Sequence, residues 1–173
     1  MEKHLQDFSK KYGINGIVLR FFNIYGKGQT EEYAGVITKF MKNISENKPL
    51  IIFGDGSNTR DFIAIEDVIE SIHQAIEKIE GKKGNCYNIA IGNYISIQEL
   101  AELMLSISGK NLDIKYEPPK DGDIVHSQTT INLAQKELGF LPKVKLSDGL
   151  KKLLDSLNNE ILKVKLVNHL GFF

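Results

Sequence analysis

The sequence holds one cysteine, Cys86, which excludes an internal disulfide and any cysteine-rich metal site. Cys86 lies in the strand-like run Cys86-Tyr87-Asn88-Ile89-Ala90 with no basic neighbour to lower its pKa, so a buried, inert thiol is expected. No apolar stretch approaches the roughly 18 residues a membrane span needs, and no charged-then-apolar leader is present. The expectation is a soluble, cytoplasmic chain with no membrane partner. An excess of one charge is also lacking. The 22 basic and 22 acidic residues cancel, so no global field recruits nucleic acid. There is no GxGxxG strand-turn-helix fingerprint, and no HExxH or CxxC pattern points to a metal. His4, His73, His126 and His169 are scattered. Arginine is scarce: Arg20 and Arg60 stand against twenty lysines.

What is present suits a packed domain. In 173 residues, 42% hydrophobic content can bury roughly two-thirds of the unfolded surface, and no linker, repeat or low-complexity segment interrupts it. Helical and extended patterns alternate, giving an α/β class. Residues 2–12 carry Leu5, Phe8 and Tyr12 at helical spacing before Gly13. Gly16 to Arg20 and Leu50 to Phe53 are short, apolar and β-branched, as buried strands are. A helix is expected from Val36 to Asn47. Another should run from Glu66 to Glu80, with Val68, Ile69, Ile72, Ile76 and Ile79 inward. Ser96-Ile97-Gln98-Glu99 reads as a capping box, Asn132 to Leu138 as a short helix, and Ser147 as the cap of a last helix.

Two loops carry candidate chemistry. Arg20-Phe21-Phe22-Asn23-Ile24-Tyr25-Gly26 follows a buried strand, and ligands of α/β sheets bind beyond the carboxyl ends of strands. An asparagine amide there offers donors and an acceptor; the alternative is a packed turn whose aromatics fill the core. The second loop, Phe53 to Phe62, places Arg60 after a glycine-rich turn. A guanidinium grips phosphate bidentately where lysine offers a point charge, and the alternative is a surface pair with Asp55 or Asp61. A third stretch, Pro118 to Ser127, reads locally as a solvated connection.

Taken in order, Leu19-Arg20-Phe21-Phe22-Asn23-Ile24-Tyr25-Gly26, Tyr33-Ala34-Gly35-Val36-Ile37, Pro49 to Gly56, Thr59-Arg60-Asp61-Phe62-Ile63, Tyr87-Asn88-Ile89 and Gly122 to Ser127 resemble the C-terminal half of NAD-dependent sugar-nucleotide epimerases and dehydratases. These are extended short-chain dehydrogenases, and UDP-glucose 4-epimerases are the nearest type. The likeness covers roughly residues 2–156. It implies the last strands and helices of a Rossmann sheet without its N-terminal nucleotide-binding half, followed by a tail at 157–173. The tail is expected to extend the last helix.

The resemblance implies roles residue by residue. Asn23 and Arg60 would hold the nucleotide diphosphate, and Gly35 and Val36 would start the helix that approaches it. Ile51 and Phe53 would pack on the base, Asp123 would hold the ribose hydroxyls, and Phe22 would lie towards the nicotinamide. Lys120 stands where a second phosphate-binding arginine is common, Ser127 where some members have a sugar-contacting tyrosine, and Val125 and Thr130 also depart from the usual residues. Arg20 would position Asn23. Glu2 resembles the glutamate that follows the family's catalytic Tyr-x-x-x-Lys, placing that pair before Met1, so no catalytic residue is assigned here. The implied function is the nucleotide-sugar-binding portion of a UDP-sugar 4-epimerase-like enzyme, inactive as this chain alone. The intact enzyme would use NAD; this chain alone would not hold it tightly. The implied partners are a UDP-sugar and either a second copy, as a homodimer, or a missing Rossmann half. The alternatives are a stand-alone module that pairs with a separate Rossmann half, or a portion of a 4,6-dehydratase or decarboxylase.

Overall fold

The computed structural model of the chain describes residues 2–29 and 35–169. The expectations that fall on Tyr33, Ala34 and residues 170–173 of the tail lie outside the described residues. The elements run α1 (Glu2–Tyr12), β1 (Gly16–Phe21), β2 (Asn23–Tyr25), α2 (Val36–Ser45), β3 (Leu50–Phe53), β4 (Thr59–Arg60), β5 (Phe62–Ala64), α3 (Ile65–Glu77), β6 (Lys83–Ile89), β7 (Ile95–Ser96), α4 (Ile97–Ser108), β8 (Ile114–Glu117), β9 (His126–Ser127), α5 (Asn132–Leu138) and α6 (Leu146–His169). The contacts divide the chain otherwise than along its length, into two compact units gathered from three stretches each. One takes Met1–Ile24, Thr59–Ile95 and Val125–Val144; the other takes Tyr25–Asn58, Ser96–Ile124 and Lys145–Phe173.

The first unit is built on β1 and β6, which run parallel with Leu19 opposite Tyr87 and Arg20 opposite Asn88. Two glycines let α1 lie close to them. A Cβ on Gly84 would fall 2.7 Å from the Gln6 Cα, and one on Gly16 would fall 3.0 Å from the Ser9 hydroxyl. The Gln6 amide donates to the Gly84 carbonyl at 3.1 Å and reaches the Cys86 sulfur at 3.5 Å. Cys86 is therefore half-buried beneath a polar side chain, not sealed in the core as its run suggested. The core comprises Ile63, Val68, Tyr87, Ile89, Ile131, Leu138 and Phe140, with Ile17, Leu19 and Phe22 packed against it.

Three polar ties close this unit. Asp67, 3% exposed in the first turn of α3, accepts from the amides of Lys143 at 2.9 Å and Val144 at 3.0 Å. The Glu137 carboxylate takes Lys82 Nζ and the Tyr87 hydroxyl, both at 2.6 Å, which holds its pKa below the ordinary carboxylate value. Arg20 grips Glu2, with Nε donating at 2.8 Å, so it fastens β1 to the start of α1. The expectation that it orients Asn23 gives way to that pairing. As an exposed pair it adds little stability.

The inward face of α3 also differs from expectation. Val68, Ser71 and Ala75 are buried, whereas Ile69, Ile72 and Ile76 are exposed, Ile76 by 64%; the helix ends at Glu77, so Ile79, also exposed, lies beyond it. Small residues turn the helix's other stripe towards the sheet, and hydropathy alone cannot rank two apolar stripes on one helix.

The second unit centres on the parallel pair β3 and β8, with Leu50 opposite Ile114 and Phe53 opposite Glu117. Ile37, Phe40, Met41 and Ile44 of α2, Leu100 and Met104 of α4, and Leu150 and Leu154 of α6 are buried in it. The capping box of α4 is present: the Ser96 hydroxyl accepts from the Glu99 amide at 3.1 Å, and Glu99 accepts from the Ser96 amide at 2.8 Å. Gly109 ends α4 with φ 66°, the left-handed conformation that glycine adopts without strain. The last helix, α6, starts at Leu146, so Ser147 lies inside it and is not its cap, and the backbone stays helical to His169. No helix among the described residues is long and apolar enough to cross a membrane.

Candidate functional site

β1 is half-buried from Ile17 to Leu19 and exposed at Arg20 and Phe21, not buried as expected, and at its carboxyl end the chain must still satisfy its backbone polar groups. The Phe22 amide donates to the Ile89 carbonyl at 3.1 Å, continuing the ladder, and the Asn23 amide turns to the Asp61 carbonyl at 3.1 Å. The Asn23 side chain follows it: Nδ2 donates to the same Asp61 oxygen at 2.9 Å and to the Ser127 hydroxyl at 3.3 Å. β4 runs parallel to β9 with Arg60 opposite Ser127, and the Asp61 amide donates to the Ser127 carbonyl at 3.1 Å. Three expected residues from separate stretches, Asn23, Arg60 and Ser127, are thus joined around the backbone of Asp61. Arg60 is half-buried, with one Nη1 bond to the Thr59 carbonyl at 2.9 Å. Thr59 in turn contacts His126 Nδ1 at 3.0 Å and accepts from the Gln128 amide at 2.9 Å. Amide, hydroxyl and guanidinium donors gathered at strand ends can bind an anion. Phe22 packs against the core, as the packed-turn alternative has it.

The sequence offers Asp61 only as an alternative surface partner of Arg60. Asp61 is 1% exposed, and its carboxylate accepts from the amides of Ile91 at 2.9 Å and Gly92 at 2.8 Å. Burial raises its pKa, and the amides of Ile91, Gly92 and Asn93 pull the other way. The carboxylate is therefore no surface partner of Arg60; Asp55 for its part binds the Ser57 amide at 2.9 Å and hydroxyl at 2.6 Å. The one sequence signal for Asp61 is an acid directly before Phe62-Ile63-Ala64, all buried; its partners lie some thirty residues away, beyond the reach of local pattern.

The second unit holds the other expected residues. Phe53, at the end of β3, carries Lys120 Nζ over its ring at 3.8 Å from the centroid, a cation–π contact. Ile51 is half-buried on the same strand. The Asn58 amide donates to Asp123 at 3.1 Å, which ties the third loop back to the glycine-rich turn. Gly35 is the N-cap of α2 without a side-chain cap, and Val36 opens the helix. An open groove of about 730 Å³ is lined by Gly54, Asp55, Ser57, Asn58, Tyr116 and Pro119. A Tyr-x-x-x-Lys string does occur, at Tyr116–Lys120, but it crosses from β8 into Pro118-Pro119 and not along a helix. Tyr116 donates to Gln98 and Lys120 covers Phe53, so the two are not set up as a proton-transfer pair. Among the described residues no cluster of His, Cys, Asp and Glu could hold a metal ion.

Residues 1–90 match the model of the NAD dependent epimerase/dehydratase family. A putative UDP-glucose 4-epimerase from Methanocaldococcus jannaschii is 31% identical over 159 residues, spanning 91% of this chain and 50% of that protein. The crystal structure of UDP-glucose 4-epimerase from Thermotoga maritima, with UDP-glucose, is 31% identical with a TM-score of 0.86, covering 92% of this chain and 51% of that one. UDP-glucuronic acid 4-epimerase from Bacillus cereus, in complex with UDP-glucuronic acid and NAD, is 31% identical with a TM-score of 0.82 over 91% and 50%. The chain spans about half the length of the relatives it matches.

Proposed function

The chain belongs to the NAD-dependent epimerase/dehydratase family, and from that premise we propose that it forms the nucleotide-sugar-binding half of a UDP-sugar 4-epimerase-like enzyme. One observation carries the reading: Asn23, Arg60 and Ser127 are joined through the backbone of Asp61. In the first unit, Arg60 grips the diphosphate and Asn23 hydrogen-bonds it by giving over the Nδ2 hydrogen it now donates to the Ser127 hydroxyl at 3.3 Å, leaving Ser127 towards the sugar. In the second, Ile51 and Phe53 flank the base, Lys120 supplies a second phosphate-binding cation, and Asp123 accepts from the ribose hydroxyls. Gly35 and Val36 bring the start of α2 to the nucleotide. NAD supplies hydride transfer in such enzymes. Phe22, half-buried and packed against the core of its unit, is the residue that would lie towards its nicotinamide.

Titration of the purified chain with UDP tests the binding reading. Measurable binding is expected, and Arg60→Ala weakens it at least tenfold, since a hydrogen bond to a charged group contributes about 1.5–3 kcal/mol. Arg60→Lys recovers part of the loss, because an ammonium keeps the charge but not the fork. Equal affinity of Arg60→Ala and wild type would sink the assignment.

A second reading, pairing with a separate Rossmann half, is favoured by the surface of the first unit. Ile69, Ile72 and Ile76 of α3 recur at the a/d spacing that packs helix on helix, yet they are exposed. Among the described residues β1 pairs with β6 alone, and parallel strands ordinarily sit inside larger sheets with both faces covered. The wild-type chain should capture the separately expressed N-terminal half of the Thermotoga maritima relative. Ile72→Glu with Ile76→Glu, both exposed and tolerable to the fold, should cut capture at least tenfold; capture unchanged by the pair, or none by wild type, counts against it.

A further inference from the structure

Two buried carboxylates in the first unit are built alike. Asp61 is 1% and Asp67 3% exposed, and each accepts from two consecutive backbone amides on a distant stretch. They differ in what surrounds their own backbone. Asp67 sits in α3, and its tie holds Lys143 and Val144 at the end of the unit's last stretch. Asp61 follows Arg60 directly, its carbonyl takes both the amide and the side chain of Asn23, and its amide meets Ser127. We propose that Asp61 is the positioning residue of the anion-binding cluster: its carboxylate, locked to the amides of Ile91 and Gly92, fixes the backbone that carries Arg60 and receives Asn23. The inference rests on the reading that Arg60 and Asn23 hold a diphosphate.

The physical reason lies in what a charged acceptor does in a dry setting. A carboxylate bonded to two amides makes shorter and stronger contacts than a neutral acceptor would. Gly92 presents its amide from φ 79°, which costs glycine nothing but strains other residues, so the receiving loop is shaped to this one side chain. Asp61 bonds through its carboxylate to the loop that follows β6, through its carbonyl to Asn23, and through its amide to β9. Displacing the carboxylate releases β4 and the Asn23 turn together, and a guanidinium needs its carrier held within about half an ångström to keep bidentate geometry.

The twin carboxylate supplies the control. In the full chain, Asp61→Asn is expected to weaken UDP binding at least tenfold, whereas Asp67→Asn lowers thermal stability by a comparable amount and leaves the dissociation constant within twofold. Added to Arg60→Ala, Asp61→Asn should cost less than a further threefold, since both act on one contact. Should Asp61→Asn fail to fold, Asp61→Glu, which keeps the charge but shifts it by one methylene, should give a three- to tenfold loss. Wild-type affinity in Asp61→Asn or Asp61→Glu, or an equal loss in Asp67→Asn, overturns the proposal. A wild-type chain that does not bind UDP instead refutes the diphosphate reading, and amide exchange on the ligand-free protein then decides. Exchange at the Asn23 and Asp61 amides should be at least tenfold faster in Asp61→Asn and unchanged in Asp67→Asn; no acceleration defeats the positioning role.

Discussion

Gly149→Ala should destabilise the protein by about 2 kcal/mol, although the same exchange in an exposed helix stabilises by about 1 kcal/mol. Gly149 lies in the first turns of α6, where its amide donates to the Lys145 carbonyl at 3.0 Å. A Cβ at this position would fall 2.1 Å from the Tyr25 hydroxyl oxygen, 2.9 Å from Cζ and 3.0 Å from Cε2. Tyr25 is 2% exposed, so the ring has no vacant space to enter. Overpacking of this kind costs about 1–3 kcal/mol, and expelling the ring forfeits a further 1.5–3 kcal/mol of burial, which together exceed the gain in helix propensity. Urea unfolding of the full chain measures the balance. In a Tyr25→Ala background the clash is gone, and Gly149→Ala should become stabilising by about 1 kcal/mol. A stabilising effect in the wild-type background would show that α6 can move aside.

Tyr25 belongs to a stretch whose sequence allows either a ligand loop or a packed turn whose aromatics fill the core. In Arg20-Phe21-Phe22-Asn23-Ile24-Tyr25-Gly26 the structure gives Asn23 to the polar cluster, Phe22 and Ile24 to the core of the first unit, Tyr25 to that of the second, and Arg20 to Glu2. Position after a strand was legible because it depends on local apolar pattern and chain direction, but the burial expected of that strand was not met, since β1 is only half-buried and its last two residues are exposed. The division of labour among the side chains was not, since each partner lies far along the chain. The same limit explains α3. Its helical period was plain in the sequence, but Ser71 and Ala75 face inward and Ile69, Ile72 and Ile76 outward, a choice set by how closely the neighbouring backbone approaches. Capping chemistry read more truly where it is local, as in Ser96–Glu99, and failed at Ser147, where the helix begins one residue earlier without it.

The family likeness carried what pattern could not. It implies ligand roles for Asn23, Arg60 and Ser127 by motif alone, and in the first unit the stretches that carry them meet at the backbone of Asp61. It left out Asp61, because resemblance of ligand-binding motifs names the residues that would touch ligand and passes over those that hold them. Polar side chains within the fold supplied the missing layer: Asp61, Asp67 and Glu137 each satisfy donors from another stretch of the same unit.

Tyr87 separates packing from polar tying in that layer. It is fully buried on β6, and its hydroxyl donates to Glu137 at 2.6 Å while Lys82 Nζ stands 5.7 Å from its ring centroid. Tyr87→Ala empties the centre of the first unit and should cost about 4 kcal/mol, the range for deleting a buried aromatic. That is a large share of the roughly 5–15 kcal/mol by which a domain is stable. Tyr87→Phe keeps the ring and removes one hydrogen bond, an expected loss of about 1 kcal/mol. Acidity discriminates further. The Glu137 pKa is depressed in the fold, first by Lys82 and then by Tyr87, so its contribution is present above the ordinary carboxylate value and disappears as pH falls through the folded one. The Lys82 pKa is raised, chiefly by Glu137, so its share holds below the ordinary lysine value and is lost as pH rises through the folded one. The Tyr87→Phe penalty, read by urea unfolding, should therefore be steady near neutral pH and shrink in acid, while the Tyr87→Ala penalty stays large in acid because a cavity does not titrate. A Tyr87→Phe penalty that is unchanged in acid would remove Glu137 from the account and leave packing alone to explain why β6 carries a tyrosine here.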